Sequence, residues 1–313
     1  MKHKKQNNEN GFKHNGLYPN GVIDSTTEEQ VNNKSLRSIE RSKEDHDYIP
    51  VIIKRNDQST KHPDDTLEHA IIEGLKQHSK DSFSLFLSSF AAGLTLGISA
   101  MCIGLIFQII PADENIIKQR LFCGLVYPLG FVVCIMSGTT LFTEQTATAF
   151  YPVLDGRARF KNLCILWFFV IIGNLIGTFT ISFLFYLAEP VISIGPGILN
   201  FTSHLVKHSG IELFISSILA GFFMAQGGWL IISTSSSYAQ IMYIYIVTFV
   251  IGFGGLHHSI AGSAEIFSSF FLSESINIFS DLIFLSKVIL GNLLGGTVFV
   301  GLLNYGRIRK VIH

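Results

Sequence analysis

Charged residues are scarce in this sequence, and they are unevenly distributed along it. Of its 313 residues, 15% are charged and 48% are hydrophobic, whereas soluble domains carry about 25% charged residues. The 23 basic and 23 acidic residues cancel formally, so nucleic acid is not an expected partner. Beyond Phe83, apolar runs of about 20 residues recur, which is long enough to cross the hydrocarbon core of a bilayer. The shortage of charge therefore excludes an ordinary soluble domain and predicts an all-α integral membrane protein.

Cysteine is scarce as well, and no pair of cysteines has the spacing of a metal or redox motif. The four cysteines all lie in apolar segments, at Cys102, Cys123, Cys134 and Cys164. Without a C-x-x-C pair, neither a disulfide framework nor a zinc site is predicted. The sequence also lacks the HExxH and nucleophile-elbow motifs, so we predict no enzyme.

The composition divides the chain into a polar tail and an apolar membrane domain. Residues 1–65 offer too little apolar surface to order themselves, and we predict a disordered cytoplasmic tail. Residues 66–82 have apolar residues at helical spacing, which predicts either an amphipathic lead-in helix on the membrane surface or a solvated one. Residues 83–306 form the predicted transmembrane domain, and residues 307–313 a short cytoplasmic C-terminus.

Six transmembrane helices are predicted from the apolar runs. They cover residues 83–110, 121–154, 163–188, 211–232, 241–272 and 282–305, and polar residues interrupt the second and the fifth. Basic residues follow the second and the sixth span, at Arg157, Arg159, Lys161, Arg307, Arg309 and Lys310. The positive-inside rule then places both termini in the cytoplasm of a multi-pass protein of the plasma (inner) membrane, with Lys118 and Arg120 counting mildly against this orientation.

The two halves of the chain resemble each other. SSFAAG at 88–93 corresponds to SSILAG at 216–221, and GNLIGT at 173–178 to GNLLGGT at 291–297. Between each pair lies an interrupted span. Because each half makes three crossings, the second half is inverted, and an inverted 3+3 repeat with spans two and five broken predicts a permeation site near the membrane midplane. We interpret the Thr-rich stretch 138–150 as the break in span two; alternatively, that span ends at Phe142 and a surface helix follows.

The interrupted spans also carry recognisable motifs. They are G-x-x-L-F-T from Gly138 to Thr143, H-S-I-A from His258 to Ala261, and the two Gly-Asn pairs at 173–174 and 291–292. Together they resemble the formate/nitrite transporter family over residues 83–309, and within it the YfdC-like branch, through LFTEQT and GSAEI. The resemblance implies an aquaporin-like fold, a homopentamer with one pore per protomer, and proton-linked transport of small monovalent weak-acid anions without a prosthetic group.

The resemblance also implies which residues form the pore. Thr143 matches the threonine of the broken-helix loop, and His258 the pore histidine. The other matched pore positions are Leu141 and Phe142 at a constriction, Tyr127 and Phe131 earlier in span two, and Ile251, where the family places an aromatic residue. The chain departs from the family at Gly262, which replaces an asparagine, and at Leu205, which replaces a lysine.

Four further residues are candidate modulators of the pore. Lys207 is a substitute for the displaced lysine, and His257 adjoins the pore histidine, although a two-His metal site is not expected. Glu144 and Glu265 have three interpretations, namely pore-facing carboxylates, protonated groups between helices, or partners of the cytoplasmic arginines. A fixed negative charge near a pore mouth would repel anions.

The leading functional prediction is a proton-linked path for small weak-acid anions. An ion entering a low-dielectric constriction loses its hydration, so protonation at or near His258 would let the substrate cross as the neutral acid. The alternative is an aquaporin-like pore for a small neutral solute. The expected partners are small anions or their conjugate acids, the lipid bilayer and further copies of the chain, with a scaffold acting through the charged tail as a remaining alternative.

Overall fold

The computed structural model describes residues 60–110, 114–273 and 278–309, and every regular element within them is a helix. The tail predicted for residues 1–65 lies outside the described residues except for 60–65, and so does Lys310. The helices are, in chain order, α1 (Pro63–Ser79), α2 (Ser82–Ile109), α3 (Ile116–Val126), α4 (Pro128–Met136), α5 (Phe142–Leu154), α6 (Phe160–Ile192), α7 (Gly195–Leu205), α8 (Ile211–Ile232), α9 (Ser237–Gly254), α10 (Ser259–Leu272), α11 (Ile278–Gly296), a π-helical turn (Thr297–Leu302) and α12 (Leu303–Arg309).

Six helical segments of the described residues are long and apolar enough to cross a membrane, as predicted. They are Ser82–Ile109, Ile116–Met136, Phe160–Ile192, Ile211–Ile232, Ser237–Gly254 and Phe279–Arg309. The second begins at Ile116, earlier than expected, because the side chain of Asn115 accepts a hydrogen bond from the Ile117 amide and caps α3. The third continues beyond Pro190 to Ile192 and ends where Ser193 adopts a left-handed conformation with φ of 50°.

The helical path of the first half is interrupted between α4 and α5. Helix α4 ends at Met136, and α5 begins at Phe142. Gly138 has φ of 72°, a conformation that strongly favours glycine. The break lies at residues 137–141, which include the first part of the Thr-rich stretch, whereas the residues of that stretch from Thr143 onward are helical and mostly buried. The positive φ of Gly138 turns the chain at the start of this break.

The second half is interrupted between α9 and α10 in a similar way. Helix α9 ends at Gly254, Gly255 has φ of 62°, and α10 begins at Ser259. His258 is the N-cap residue of α10, with its side chain accepting a hydrogen bond from the backbone. Each interruption therefore has one glycine with positive φ, and each is followed by the start of a buried helix.

Two buried asparagines hold these interruptions in place. The Asn174 side chain donates to the carbonyl oxygens of Ser89 (2.7 Å) and Thr140 (3.0 Å) and accepts from the Phe142 amide (2.9 Å). The Asn292 side chain donates to the carbonyl oxygens of Ser217 (2.7 Å) and His257 (3.0 Å) and accepts from the Ser259 amide (2.7 Å). Both asparagines are 0% exposed. Each one thus satisfies one carbonyl oxygen and one amide that an interruption leaves without partners, and it adds a second hydrogen bond to a carbonyl oxygen of a neighbouring helix.

Small residues bring the asparagines close to the interruptions. Helix α2 packs along α6, and α8 packs along α11. A Cβ atom added to Gly93 would clash with the Asn174 carbonyl oxygen, and one added to Gly221 would clash with the Asn292 carbonyl oxygen. Glycines in membrane helices commonly allow such close backbone approach. The repeated S-S-x-x-A-G and G-N motifs are therefore the contact surfaces of these helix pairs.

Helix α1 packs on the rest of the protein through its apolar residues. Its apolar residues Leu67 and Ile71 are fully buried, in a cluster that includes Tyr151 of α5 and Trp229 of α8. Burial and the neighbouring Lys61 ammonium group lower the pKa of His69 to about 4. Arg157 and Arg309 form ion pairs with Glu68 and Asp155, which ties α1 to the end of α5 and to α12. The helix therefore forms part of the folded domain.

Candidate pore site

Thr143 and His258 meet at the point where α5 and α10 begin. Their side chains lie 115 positions apart in the sequence, and Thr143 Oγ1 is 2.6 Å from His258 Nε2. Thr143 is 0% exposed and His258 is 2% exposed. Two helix N-termini, which carry partial positive charge, thus converge on one buried hydrogen bond. Such a place favours a negative charge or a hydrogen-bond acceptor.

The hydrogen bonds of His258 define its neutral form. His258 Nδ1 accepts a hydrogen bond from the Ala261 amide at 3.2 Å, so this nitrogen carries no hydrogen. In the neutral ring, Nε2 therefore bears the hydrogen and donates it to Thr143 Oγ1. The hydroxyl hydrogen of Thr143 is then left to donate to another acceptor.

Two aromatic rings extend from His258 along α4. The ring of Phe131 packs edge-on against that of His258, with centroids 5.0 Å apart, and Tyr127 lies 5.0 Å from Phe131. Pro128 separates α3 from α4 because it has no amide hydrogen. Ser99 stabilises this junction by donating to the Tyr127 carbonyl oxygen (2.6 Å) and accepting from the Gly130 amide (3.1 Å). The predicted aromatic pair is thus fixed next to the histidine.

A cavity of about 160 Å³ reaches His258 from one end of the molecule. Six of the residues predicted from sequence line it: Tyr127, Lys207, Ile251, His257, His258 and Glu265. Leu141, Phe142 and Phe131 belong, with Tyr127 and Ile251, to one buried hydrophobic cluster. The structure therefore brings the predicted residues together, with Thr143 and the apolar side chains adjoining the inner end of the cavity.

The cavity also has basic residues that the sequence reasoning did not select. Arg120, His204 and His208 line it, and Arg120 packs beside Gly255. Arg120 was placed in a loop because the second span was expected to begin at residue 121. Arg120, Cys123 and Tyr127 all line the cavity and have the spacing i, i+3, i+7, which places them on one face of a helix. This pattern could have identified Arg120 from the sequence.

The modulator candidates occupy different positions. His257 Nε2 donates to the Leu205 carbonyl oxygen (3.0 Å) and Nδ1 accepts from Ser216 Oγ (2.8 Å), so both ring nitrogens are engaged. Glu144 is buried and accepts a hydrogen bond from Gln145, which in turn accepts one from Gln77 of α1.

The interpretation of Glu144 and Glu265 as partners of the cytoplasmic arginines is wrong. Arg157 and Arg309 pair with Glu68 and Asp155 instead. Glu265 is 1% exposed, and its Oε1 atom has no hydrogen-bond partner in the described part of the chain. In the same part of the chain, no group of three or more His, Cys, Asp or Glu residues is arranged to hold a metal ion.

The chain is similar to known membrane transport proteins over most of its length. The profile of the family described as Formate/nitrite transporter matches residues 64–306. The chain is 30% identical to the inner membrane protein YfdC of Escherichia coli (strain K12) over 249 residues, which cover 78% of each protein.

Solved structures show the same fold. A structure described as an FNT family ion channel matches with a TM-score of 0.69 at 21% identity, covering 78% of this chain and 98% of the other. One described as a pentameric formate channel with formate bound matches with a TM-score of 0.63 at 22% identity, covering 73% and 98%. This chain therefore belongs to the formate/nitrite transporter family.

Proposed function

We propose that this protein is a proton-linked channel or transporter for small monovalent weak-acid anions of the formate and nitrite type. The observation that carries the proposal is the buried contact between Thr143 and His258 at the inner end of a cavity with basic side chains. The pentameric formate channel that shares the fold supports the substrate class. The substrates are small anions or their conjugate acids, and the protein carries out no chemical conversion of its own.

The two halves are proposed to form an inverted 3+3 repeat in the membrane, with spans two and five broken. The matched hydrogen bonds of Asn174 and Asn292 support this arrangement, because each fixes the start of the helix that follows an interruption. The proposed pore passes once through each protomer, between the N-termini of α5 and α10. Helix breaks in corresponding places of inverted repeats are typical of midplane substrate sites.

We propose that the protein lies in a bacterial-type inner membrane and that both of its termini are on the cytoplasmic side. Arg157, Arg159 and Lys161 follow α5, and Arg307 and Arg309 lie in α12, so these five basic residues collect at one end. At the opposite end, the cavity is bordered by Ile116 at the start of α3 and by residues at and just after the end of α7, namely His204, Leu205, Lys207 and His208. We therefore assign the cavity to the outer side, residues 83–306 to the membrane domain, and the segments before α1 and after α12 to the cytoplasm.

The arrangement suits an anion that crosses as its neutral acid. Arg120 and Lys207 raise the local concentration of anions in the cavity. Beyond it the path is lined by Phe131, Leu141 and Phe142, which offer no replacement for the hydration of an ion. Binding a proton removes the charge before this apolar passage, and the Thr143–His258 pair supplies one polar contact within it.

The exposed apolar faces are proposed to contact lipid and neighbouring protomers. Phe168 and Leu187 on α6 and Ile211 at the start of α8 are each more than half exposed. Contiguous apolar surface of this kind is covered by acyl chains or by protein in a membrane. A homopentamer is the proposed assembly, because the formate channel with the same fold is described as pentameric.

A flux assay on proteoliposomes distinguishes this proposal from a pore for neutral solutes. We expect formate and nitrite uptake that is at least about tenfold above protein-free liposomes at about pH 5.5 and falls as the outer pH approaches about 7.5. Urea and glycerol, measured by liposome swelling, should not permeate faster than in the control. Swelling in urea without formate or nitrite flux would replace the proposal with the neutral-solute pore.

A further inference from the structure

A buried carboxyl group faces the same cavity as His258. Glu265 lies seven positions after His258 on α10, which places both on the same face of the helix. Both side chains line the cavity, and both are almost completely buried. Glu265 Oε1 has no hydrogen-bond partner among the described residues. A buried polar atom without a partner is costly in a membrane protein, so a partner from outside the chain is expected.

The other charged or titratable groups on the cavity wall do not neutralise this carboxyl through a direct contact. From α3 and its end, the groups are Arg120, Cys123 and Tyr127. From α7 and the following turn, they are His204, Lys207 and His208, and from the turn before α10, His257 and His258. No ion pair in the described residues includes Glu265. Basic residues at the cavity wall thus attract an anion towards Glu265, whose Oε1 atom has no hydrogen-bond partner among the described residues.

His258 is poorly arranged to deliver a proton to that anion. Nδ1 accepts the Ala261 amide hydrogen that caps α10, and Nε2 is bound to Thr143. A second proton would have to enter at Nδ1, where it would displace the cap and face the positive end of a helix. The cavity therefore holds one engaged histidine and one unengaged carboxyl.

We propose that Glu265 is the proton-exchanging residue of this cavity, donating its proton to the weak-acid anion before the anion passes Thr143 and His258. The inference rests on the proposed function and adds the residue at which proton linkage occurs. In the step, the carboxyl O–H bond of Glu265 breaks as an O–H bond forms on the substrate oxygen. This leaves a Glu265 carboxylate and a neutral acid. A hydronium ion from the outer aqueous phase then protonates Glu265 again and becomes water.

The size of the cavity agrees with this step. Water occupies about 30 Å³ per molecule in the liquid, so a volume of about 160 Å³ holds a small anion together with a few waters. Water entering the cavity from the outer side would connect Glu265 with the outer solution for reprotonation.

The test is the pH profile of formate uptake by the full-length protein in proteoliposomes. For the wild type, we expect the rate at saturating formate to level off at low outer pH, when Glu265 is fully protonated. For Glu265→Gln, the rate at about pH 6.5 should fall at least about tenfold, and the profile should rise with proton concentration without levelling off. Glu265→Asp, which keeps a carboxyl group, should retain a plateau.

Glu189→Gln is the matched control, since Glu189 also lies in the membrane domain but accepts hydrogen bonds from the Ile194 and Gly195 amides and does not line the cavity. Its profile should match the wild type. A Glu265→Gln protein with the rate and the plateau of the wild type would overturn the inference and leave the proposed function intact, whereas no formate uptake by the wild type would refute the proposed function itself. If Glu265→Gln does not assemble, the pH at which Glu265→Asp reaches its plateau is compared with that of the wild type. A different pH supports the inference, and the same pH overturns it.

Discussion

Replacing Asn292 with leucine is expected to prevent the protein from assembling into a stable membrane domain. The substitution keeps the number of non-hydrogen atoms in the side chain but leaves the carbonyl oxygen of His257 and the amide of Ser259 without partners. It also removes the additional hydrogen bond to the Ser217 carbonyl oxygen within α8. Each buried backbone group left unpaired costs about 1–3 kcal/mol, so the two groups together cost about 2–6 kcal/mol. That is comparable with the whole stability of a typical domain.

The measurement is the yield of monodisperse protein in detergent and its thermal unfolding midpoint. Asn304→Leu is the matched control, because Asn304 is also buried but its Nδ2 atom has no partner in the described residues. We expect the control to lower the midpoint by only a few degrees, in line with about 1 kcal/mol or less. An Asn292→Leu protein as stable as the control would show that these hydrogen bonds do not hold the second interruption in place.

Replacing Thr143 with valine is expected to reduce formate flux by about tenfold to a hundredfold without unfolding the protein. Valine has nearly the shape of threonine but leaves His258 Nε2 without its partner at 2.6 Å. It also removes the hydroxyl hydrogen that we expect to contact the substrate. A buried hydrogen bond of this kind is worth about 1–3 kcal/mol, and about 1.4 kcal/mol corresponds to a factor of ten in rate.

Thr143→Ser provides the comparison, because serine keeps the hydroxyl group and loses only a methyl group. Its formate flux should stay within about threefold of the wild type, while the unfolding midpoints of both variants should be similar. Initial rates of labelled formate uptake in proteoliposomes measure the difference. Equal flux through the valine and serine variants would mean that the substrate does not depend on the Thr143 hydroxyl.

Much of the fold could be predicted from local composition. Uncharged runs of helical length gave the number of spans, because apolar length alone decides whether a helix crosses a bilayer. Asn174 holds the interruption in the first half and Asn292 the one in the second. In the sequence these two residues were visible only as repeated G-N motifs. Their hydrogen bonds join residues more than 30 positions apart, so no local pattern could state which backbone groups they satisfy.

The position of the first interruption depended on such distant contacts. The Thr-rich stretch 138–150 was interpreted as the break because it is polar and interrupts an apolar span. In the structure the chain turns at Gly138, and Asn174 fixes the amide of Phe142 at the start of α5. A turn and a distant hydrogen bond therefore set where within the stretch the helix resumes.

The candidate site was predicted in part. Thr143 and His258 were selected because they match motif positions of the formate/nitrite transporter family in the two interrupted spans, and the structure puts them in contact. Arg120 was missed because the start of its helix was placed too late. Glu265 was selected, but its unpartnered oxygen and its place on the cavity wall arise from how α10 packs against α7, which a single sequence does not specify.

The most direct test of the central claim is whether formate crosses without carrying net charge. Uptake into proteoliposomes would be measured under a fixed pH gradient while a potassium diffusion potential of either sign is imposed with valinomycin. Moving one elementary charge through 100 mV is worth about 2.3 kcal/mol, so transport of the bare anion would respond strongly to the sign of the potential. We predict that uptake follows the pH gradient and changes by less than about twofold with the potential. Uptake that follows the potential and ignores the pH gradient would contradict proton-linked passage through this pore.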